Sequence, residues 1–237
     1  MPHFSAAQQK AIDVLSRDLD DTLGARLHAL VAYPGNQADG SLHSCAIVDG
    51  LSFRDLVACL PLTEGWHHRG IAVPLMLATG ELERSVDVFP LEYASILAGY
   101  LVVRGPDPFK GMAIPIEDIR RATEGQAKSH LIHLREAFLE SHGETTRIAR
   151  LIASSAAPLR GLLTNIARLD HASDAAAGDD SLARMAEARL GVSAGLVRDV
   201  LASSGGGHST ITDPSALLAR YIDAAQKVWE YVDGWRS

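Results

Sequence analysis

The sequence predicts an α+β fold: a mixed β-sheet with helices over residues 1–113, then an α-helical bundle over residues 114–237. Three observations predict it. Short apolar runs interleave with helical periodicity as far as the Gly105-Pro106-Asp107-Pro108 turn. Beyond Pro115 apolar residues recur at helical spacing alone, and strands followed by helices are the signature of segregated layers. The chain has 237 residues, 47% hydrophobic and 22% charged, which allows one or two packed domains and excludes a disordered chain, a collagen-like repeat or a small disulfide scaffold.

From Ser5 to about Leu23, Ile12, Leu15, Leu19 and Leu23 recur at spacings of 3, 4 and 4, one apolar helix face ended by Gly24. Arg26 to Tyr33 and Leu42 to Val48 are apolar runs separated by the turn-forming residues 34–40, and they read as paired strands. Ser52 with Asp55 is a capping-box-like start to a helix reaching about Leu60. Ile71 to Ala78 is a further apolar run, and Pro74 assigns it to a sheet edge or bulge. Thr79 to Glu83 reads as a short helical turn, Val86 to Phe89 as a strand, Leu91 to Ala98 as a helix and Leu101 to Val103 as the last strand.

Ile116 to about His142 is a long helix on which Ile119, Leu131, Leu134 and Phe138 can share a face. Glu144 to about Leu169 is a second, with Pro158 inside it. Residues 170–180 read as a loop, residues 181–190 and 193–203 as shorter helices, and a last helix starts from an Asp213 N-cap with Pro214 at its first position.

Net charge is -7, with 8 basic and 13 acidic side chains in residues 1–113 and 14 and 16 in residues 114–237. Neither half carries the basic excess of non-specific nucleic-acid binding. Cys45 and Cys59 lie in apolar stretches without C-x-x-C spacing and read as buried hydrophobes of a reducing compartment. The opening MPHFSAAQQK lacks the apolar stretch of a secretory signal, and no apolar run nears the roughly 18 residues that span a bilayer. The expectation is a cytoplasmic protein without a membrane partner. The adjacent His67 and His68 read as a loop or edge pair, and His130 and His133 as solvated or bundle-packed residues.

The order helix, strand, Gly-containing turn, strand, helix, followed by Val86-Asp87-Val88-Phe89-Pro90-Leu91-Glu92-Tyr93 and Gly105-Pro106-Asp107-Pro108-Phe109, resembles bacterial nucleotidyltransferase-like proteins of the polymerase-β superfamily. Members such as kanamycin nucleotidyltransferase also end in a helical bundle, so the resemblance spans most of the chain. It implies a Gly-Ser turn holding nucleotide phosphates, two acidic residues on one face of the next strand, and a third carboxylate on a neighbouring strand. Together these hold a metal pair for attack of a hydroxyl on the α-phosphate.

By that resemblance Gly35 matches the turn, Asn36 stands where its serine is expected, and Ser44 and Ala46 occupy the acidic positions. Gly35, Asn36 and Ser44 become nucleotide ligands, with Arg120 and Lys128 supplying charge. Asp87 becomes the catalytic carboxylate and metal ligand, and Glu124 a base. Asp39 and Asp49 enter as ligands under another register. Plainer readings stand beside these: a β-turn at Gly35, a turn-capping role for Asp87, and an exposed i,i+4 ion pair for Arg120 and Glu124.

One carboxylate and a hydroxyl carry too little negative charge for two divalent cations. The expectation is therefore a non-catalytic member that binds a nucleotide or a protein partner in the cleft between its domains. One alternative is an active enzyme moving a nucleoside monophosphate from a nucleoside triphosphate to a hydroxyl, which alone would need Mg²⁺. The other is an interaction module or a HEPN-type ribonuclease using Arg135 and His142.

Overall fold

A computed structural model of the chain describes residues 4–34, 41–170, 178–205 and 211–236. The chain is α+β and divides into two compact units, Met1–Ile114 and Pro115–Ser237.

The first unit contains α1 (Ala6–Leu23), β1 (Leu27–Pro34), β2 (Leu42–Val48), α2 (Phe53–His67), β3 (Leu75–Ala78), α3 (Glu81–Ser85), α4 (Pro90–Leu97) and β4 (Leu101–Arg104). The strands form one mixed sheet of order β3-β2-β1-β4, antiparallel except for the β2–β3 pair. Pro74 does precede an edge strand, where a missing N–H costs no ladder bond.

Alternation along the strands gives the sheet two buried faces. Leu30 and Ala32 of β1 with Leu42, Ala46 and Val48 of β2 pack under α1 and α2, against Ile12, Leu15, Leu19, Cys59 and Trp66. Ala29, Val31 and Tyr33 with Cys45 and Ile47 pack on the other side against Leu82, Tyr93, Ile96 and Phe109. All four of the predicted α1 positions are buried. Its start is closed by a reciprocal box in which the Gln8 N–H donates to Ser5 Oγ and the Ser5 N–H to Gln8 Oε1.

Two sequence expectations change here. The helix begun by the Ser52–Asp55 box runs on to His67, through Pro61. Trp66 lies near its end, 1% exposed, with its indole N–H donating to Asp18 Oδ2 of α1 at 2.8 Å, so burying it rewards the extra turns. Residues 86–89 are not a strand. They form a turn between α3 and α4, anchored by the Phe89 N–H donating to the Ser85 carbonyl at 2.9 Å. The two short helices cover a sheet face through Leu82, Tyr93 and Ile96, and Val88 and Phe89 point outward between them.

The second unit is helical among its described residues: α5 (Ile116–Glu140), α6 (Thr145–Leu169), α7 (Asp179–Leu190), α8 (Ala194–Ala202) and α9 (Pro214–Gly234). Helix α6 is its centre, packed on α5, α7, α8 and α9 and burying Ile148, Ile152, Leu162, Leu163 and Ile166. On α5, Ile119, Leu131 and Leu134 are buried as their spacing predicts, whereas Phe138 is 39% exposed. Asp213 caps α9 by accepting from the Ala216 N–H at 3.0 Å, with Pro214 at the first position. No helix among the described residues is long and apolar enough to cross a membrane.

Candidate functional site

The two central strands set the geometry of the candidate site. Gly35 and Asn36, the expected phosphate turn, lie outside the described residues, as does Asp39. Ser44 pairs with Ala32 across the β1–β2 ladder and, as expected, shares its face with Ala46. That face is the one closed by α1 and α2. Ser44 is 2% exposed and its Oγ is buried without a hydrogen-bond partner. A phosphate would have to enter the core to reach it, which removes Ser44 as a nucleotide ligand. Asp49, just beyond β2, accepts from the Thr79 hydroxyl while its N–H donates to the Arg26 carbonyl at 2.8 Å, so it ties the strand end to β3.

Asp87 is not on a strand. It sits exposed in the turn between α3 and α4, which corrects its expected place beside the acidic positions of β2. Among the described residues, no group of three or more His, Cys, Asp and Glu side chains converges in a way that would hold a metal ion.

The opposite face of β2 does bring polar groups together, and sequence reasoning passed over it. Tyr33 and His43 are cross-strand partners with ring centroids 5.8 Å apart. The Tyr33 hydroxyl donates to Glu92 Oε1 at 3.3 Å. Burial, reinforced by the Glu92 carboxylate, holds the phenol well above its ordinary pKa. Cys45 follows on the same face, fully buried, its thiol pushed up to about 12 chiefly by burial and then by Glu92. His43 Nε2 is buried without a partner. The signal was present in the sequence: Glu92 belongs to the Phe89-Pro90-Leu91-Glu92-Tyr93 segment that carries the resemblance, and His43 and Cys45 alternate with Ser44 and Ala46. Chemically the cluster offers a phenol, an imidazole and one carboxylate as hydrogen-bonding groups. Its thiol stays protonated near neutral pH and is no nucleophile.

On α5, Arg120 and Glu124 do meet: Arg120 Nη1 donates to Glu124 Oε2 at 2.7 Å, while Arg120 Nε lies 3.3 Å from Glu117 Oε2. Glu124 is thus engaged as an ion-pair acceptor, and its hydrogen bond raises the Arg120 pKa above the usual guanidinium range. Lys128 does not extend the stripe outward. Its Nζ lies over the Trp229 ring, 3.4 Å from the centroid. Arg135 donates to Gln226 Oε1 of α9 at 3.1 Å, and His142 lies past the end of α5 at a left-handed φ of 52°. His67 is the last residue of α2, and His68, its C-cap, begins the turn that follows.

His130 is 9% exposed, with Nε2 2.8 Å from the Tyr221 hydroxyl, which in turn donates to the Ser155 carbonyl at 3.4 Å. Burial, and then the neighbouring His133, pushes its imidazole pKa down to about 4. It lines a groove of about 340 Å³ between α5 and α6. His133, three residues on, is exposed and 3.0 Å from Glu136.

No protein-family model, curated protein or solved structure matches the chain.

Proposed function

We propose that this chain is a nucleotidyltransferase-like protein that binds a nucleotide without transferring it, using the Tyr33–His43–Glu92 end of its sheet. In this reading the first unit is the nucleotidyltransferase-like domain and the second the C-terminal bundle typical of the family. One observation carries the reading. The alternating positions of β2 hold Ser44 and Ala46 on one face and His43 and Cys45 on the other, and the carboxylate that meets the second face, Glu92, accepts the Tyr33 hydroxyl. Sites for paired divalent cations are built from several anionic oxygens. A phenol, an imidazole and a single carboxylate at a sheet end instead suit the polar edge of a nucleobase or ribose.

Differential scanning fluorimetry with ATP and GTP, each with and without Mg²⁺, tests binding. Incubation with α-labelled triphosphate and candidate hydroxyl acceptors tests transfer. A nucleotide should raise the melting temperature, the rise should shrink in Tyr33→Phe and Glu92→Gln, and no label should move. Transfer of label by the wild type, lost in Asp87→Ala or Glu124→Gln, would restore the active enzyme. If no nucleotide shifts the melting temperature while a protein co-purifies at fixed stoichiometry, the function is that of an interaction module.

A further inference from the structure

Helix α2 is apolar on two opposite sides. One side, through Cys59, Leu62 and Trp66, packs into the core against the sheet. The other is a second stripe, Phe53, Leu56, Val57 and Leu60, at the i, i+3, i+4 and i+7 spacing of a single helix face. It is open to solvent, with Phe53 80% and Leu60 63% exposed. A surface helix needs one apolar side, whereas a helix that is apolar all round is a helix covered on both. The four side chains leave roughly 350 Å² of contiguous apolar surface, the size at which a patch on a single chain marks an interaction site. The two ends of the stripe carry opposite charge. Arg54 stands at its start, exposed and without an ion-pair partner among the described residues. Glu64 stands at its far end, 89% exposed and 3.7 Å from the exposed His68.

We propose that this face pairs with itself: two copies of the chain associate through α2, in antiparallel order about a two-fold axis near the middle of the stripe. Such an interface uses one patch twice, so the patch must complement its own reverse. The sequence meets that condition. Phe53, Val57, Leu60 and Glu64 follow one another at intervals of 4, 3 and 4, the seam of a coiled-coil-like contact. Reversal sets Val57 opposite Leu60 of the second copy, and Leu56 opposite Pro61 of the second copy. Phe53 and Arg54 then meet Glu64 of the second copy at each end, whereas a parallel pair would set like charge beside like. Releasing Glu64 from His68 costs little, because both are solvated. Two stripes supply roughly 700 Å² of apolar surface, most of the roughly 900 Å² found in a standard interface of about 1,600 Å². Helix α2 covers the sheet face opposite Tyr33, so the pairing is independent of the sheet-end cluster and of the nucleotide reading.

The test is sedimentation velocity of the full chain from about 1 to 200 µM, a range that brackets a dimer of this modest area. The wild type should show a monomer–dimer equilibrium with a Kd in the micromolar range. Leu60→Glu puts a charge into the seam from an exposed position and should weaken the dimer by about 100-fold or more while far-ultraviolet circular dichroism stays native. If that variant unfolds, Val57→Lys takes its place. Arg54→Glu and Glu64→Arg should each weaken the dimer by about tenfold, because each sets like charges together at both ends of the pair. The two substitutions combined should return the Kd to the wild-type value, a restoration that a parallel pair or an unrelated surface would not give. A monomer at every concentration, a dimer that persists in a folded seam variant, or a double reversal no tighter than the single ones would each overturn the proposal.

Discussion

The Lys128 ammonium lies 3.4 Å from the centroid of the Trp229 ring, joining α5 to α9 by a cation–π contact. The sequence places Lys128 beside Glu124 as a phosphate ligand, whereas the structure gives its charge a partner within the bundle. A contact of this kind contributes about 0.5 to 1 kcal/mol when exposed and up to about 2 kcal/mol when desolvated. In a double-mutant cycle, Lys128→Met and Trp229→Leu should show a coupling energy of about 1 kcal/mol in urea unfolding. Independent effects, together with loss of nucleotide binding in Lys128→Met alone, would return the lysine to a ligand role.

The buried His130 makes the stability of the bundle depend on pH in a defined window. Its folded pKa of about 4 lies below the ordinary value of 6.5, so the unfolded chain binds the proton more readily. Its contribution is fully present above pH 6.5 and declines as pH falls toward 4, by up to about 3 kcal/mol in all. Carboxylates held low by partners, such as Asp179 beside Arg160, lose their contribution only below the usual carboxylate range. Urea midpoints measured from pH 7.5 to 4 should therefore fall in the wild type and flatten in His130→Gln.

Ser44 is a hydroxyl surrounded by core with nothing to bond. Burying an unsatisfied hydroxyl costs about 1 to 3 kcal/mol, and alanine fits the same space without the penalty. Ser44→Ala should raise the unfolding free energy by about 1 kcal/mol and leave any nucleotide response intact. A loss of binding in this variant would show that the face under α1 and α2 opens to a ligand.

Gly105 turns the chain out of β4 at φ +75°, and a Cβ there would run into the His28 carbonyl oxygen and come within 3.1 Å of Ala29 Cα. Backbone atoms of the central strand cannot yield as a flexible side chain would. Left-handed strain alone costs about 1 to 2 kcal/mol, so Gly105→Ala should destabilise the first unit by about 2 kcal/mol or more in chemical unfolding.

Local rules carried most of the fold. The 3-4-4 spacing of Ile12, Leu15, Leu19 and Leu23, the Ser52–Asp55 box and the Asp213-Pro214 start each encode an element within a few neighbouring residues, and each is present. Val86 to Phe89 misled because three β-prone side chains, Val86, Val88 and Phe89, outweighed Asp87 in the pattern, whereas the segment is the short turn that joins α3 to α4. The candidate site was harder. Alternation shows that Ser44 and His43 face opposite ways, but both sheet faces are buried, and only long-range packing tells which helices close over each. Tyr33 and Glu92 are 59 residues apart in sequence, and His130 and Tyr221 are 91 apart. No spacing rule reaches across such intervals.

The sheet keeps its longest strands, of eight and seven residues, in the middle and has four-residue strands on both flanks. An incoming strand from another molecule would find a ladder too brief to hold it on either side, and Pro74 withholds a donor just before one of them. Brevity at the margins thus guards this unit against fibril-like growth, with no charged gatekeeper needed inside β3.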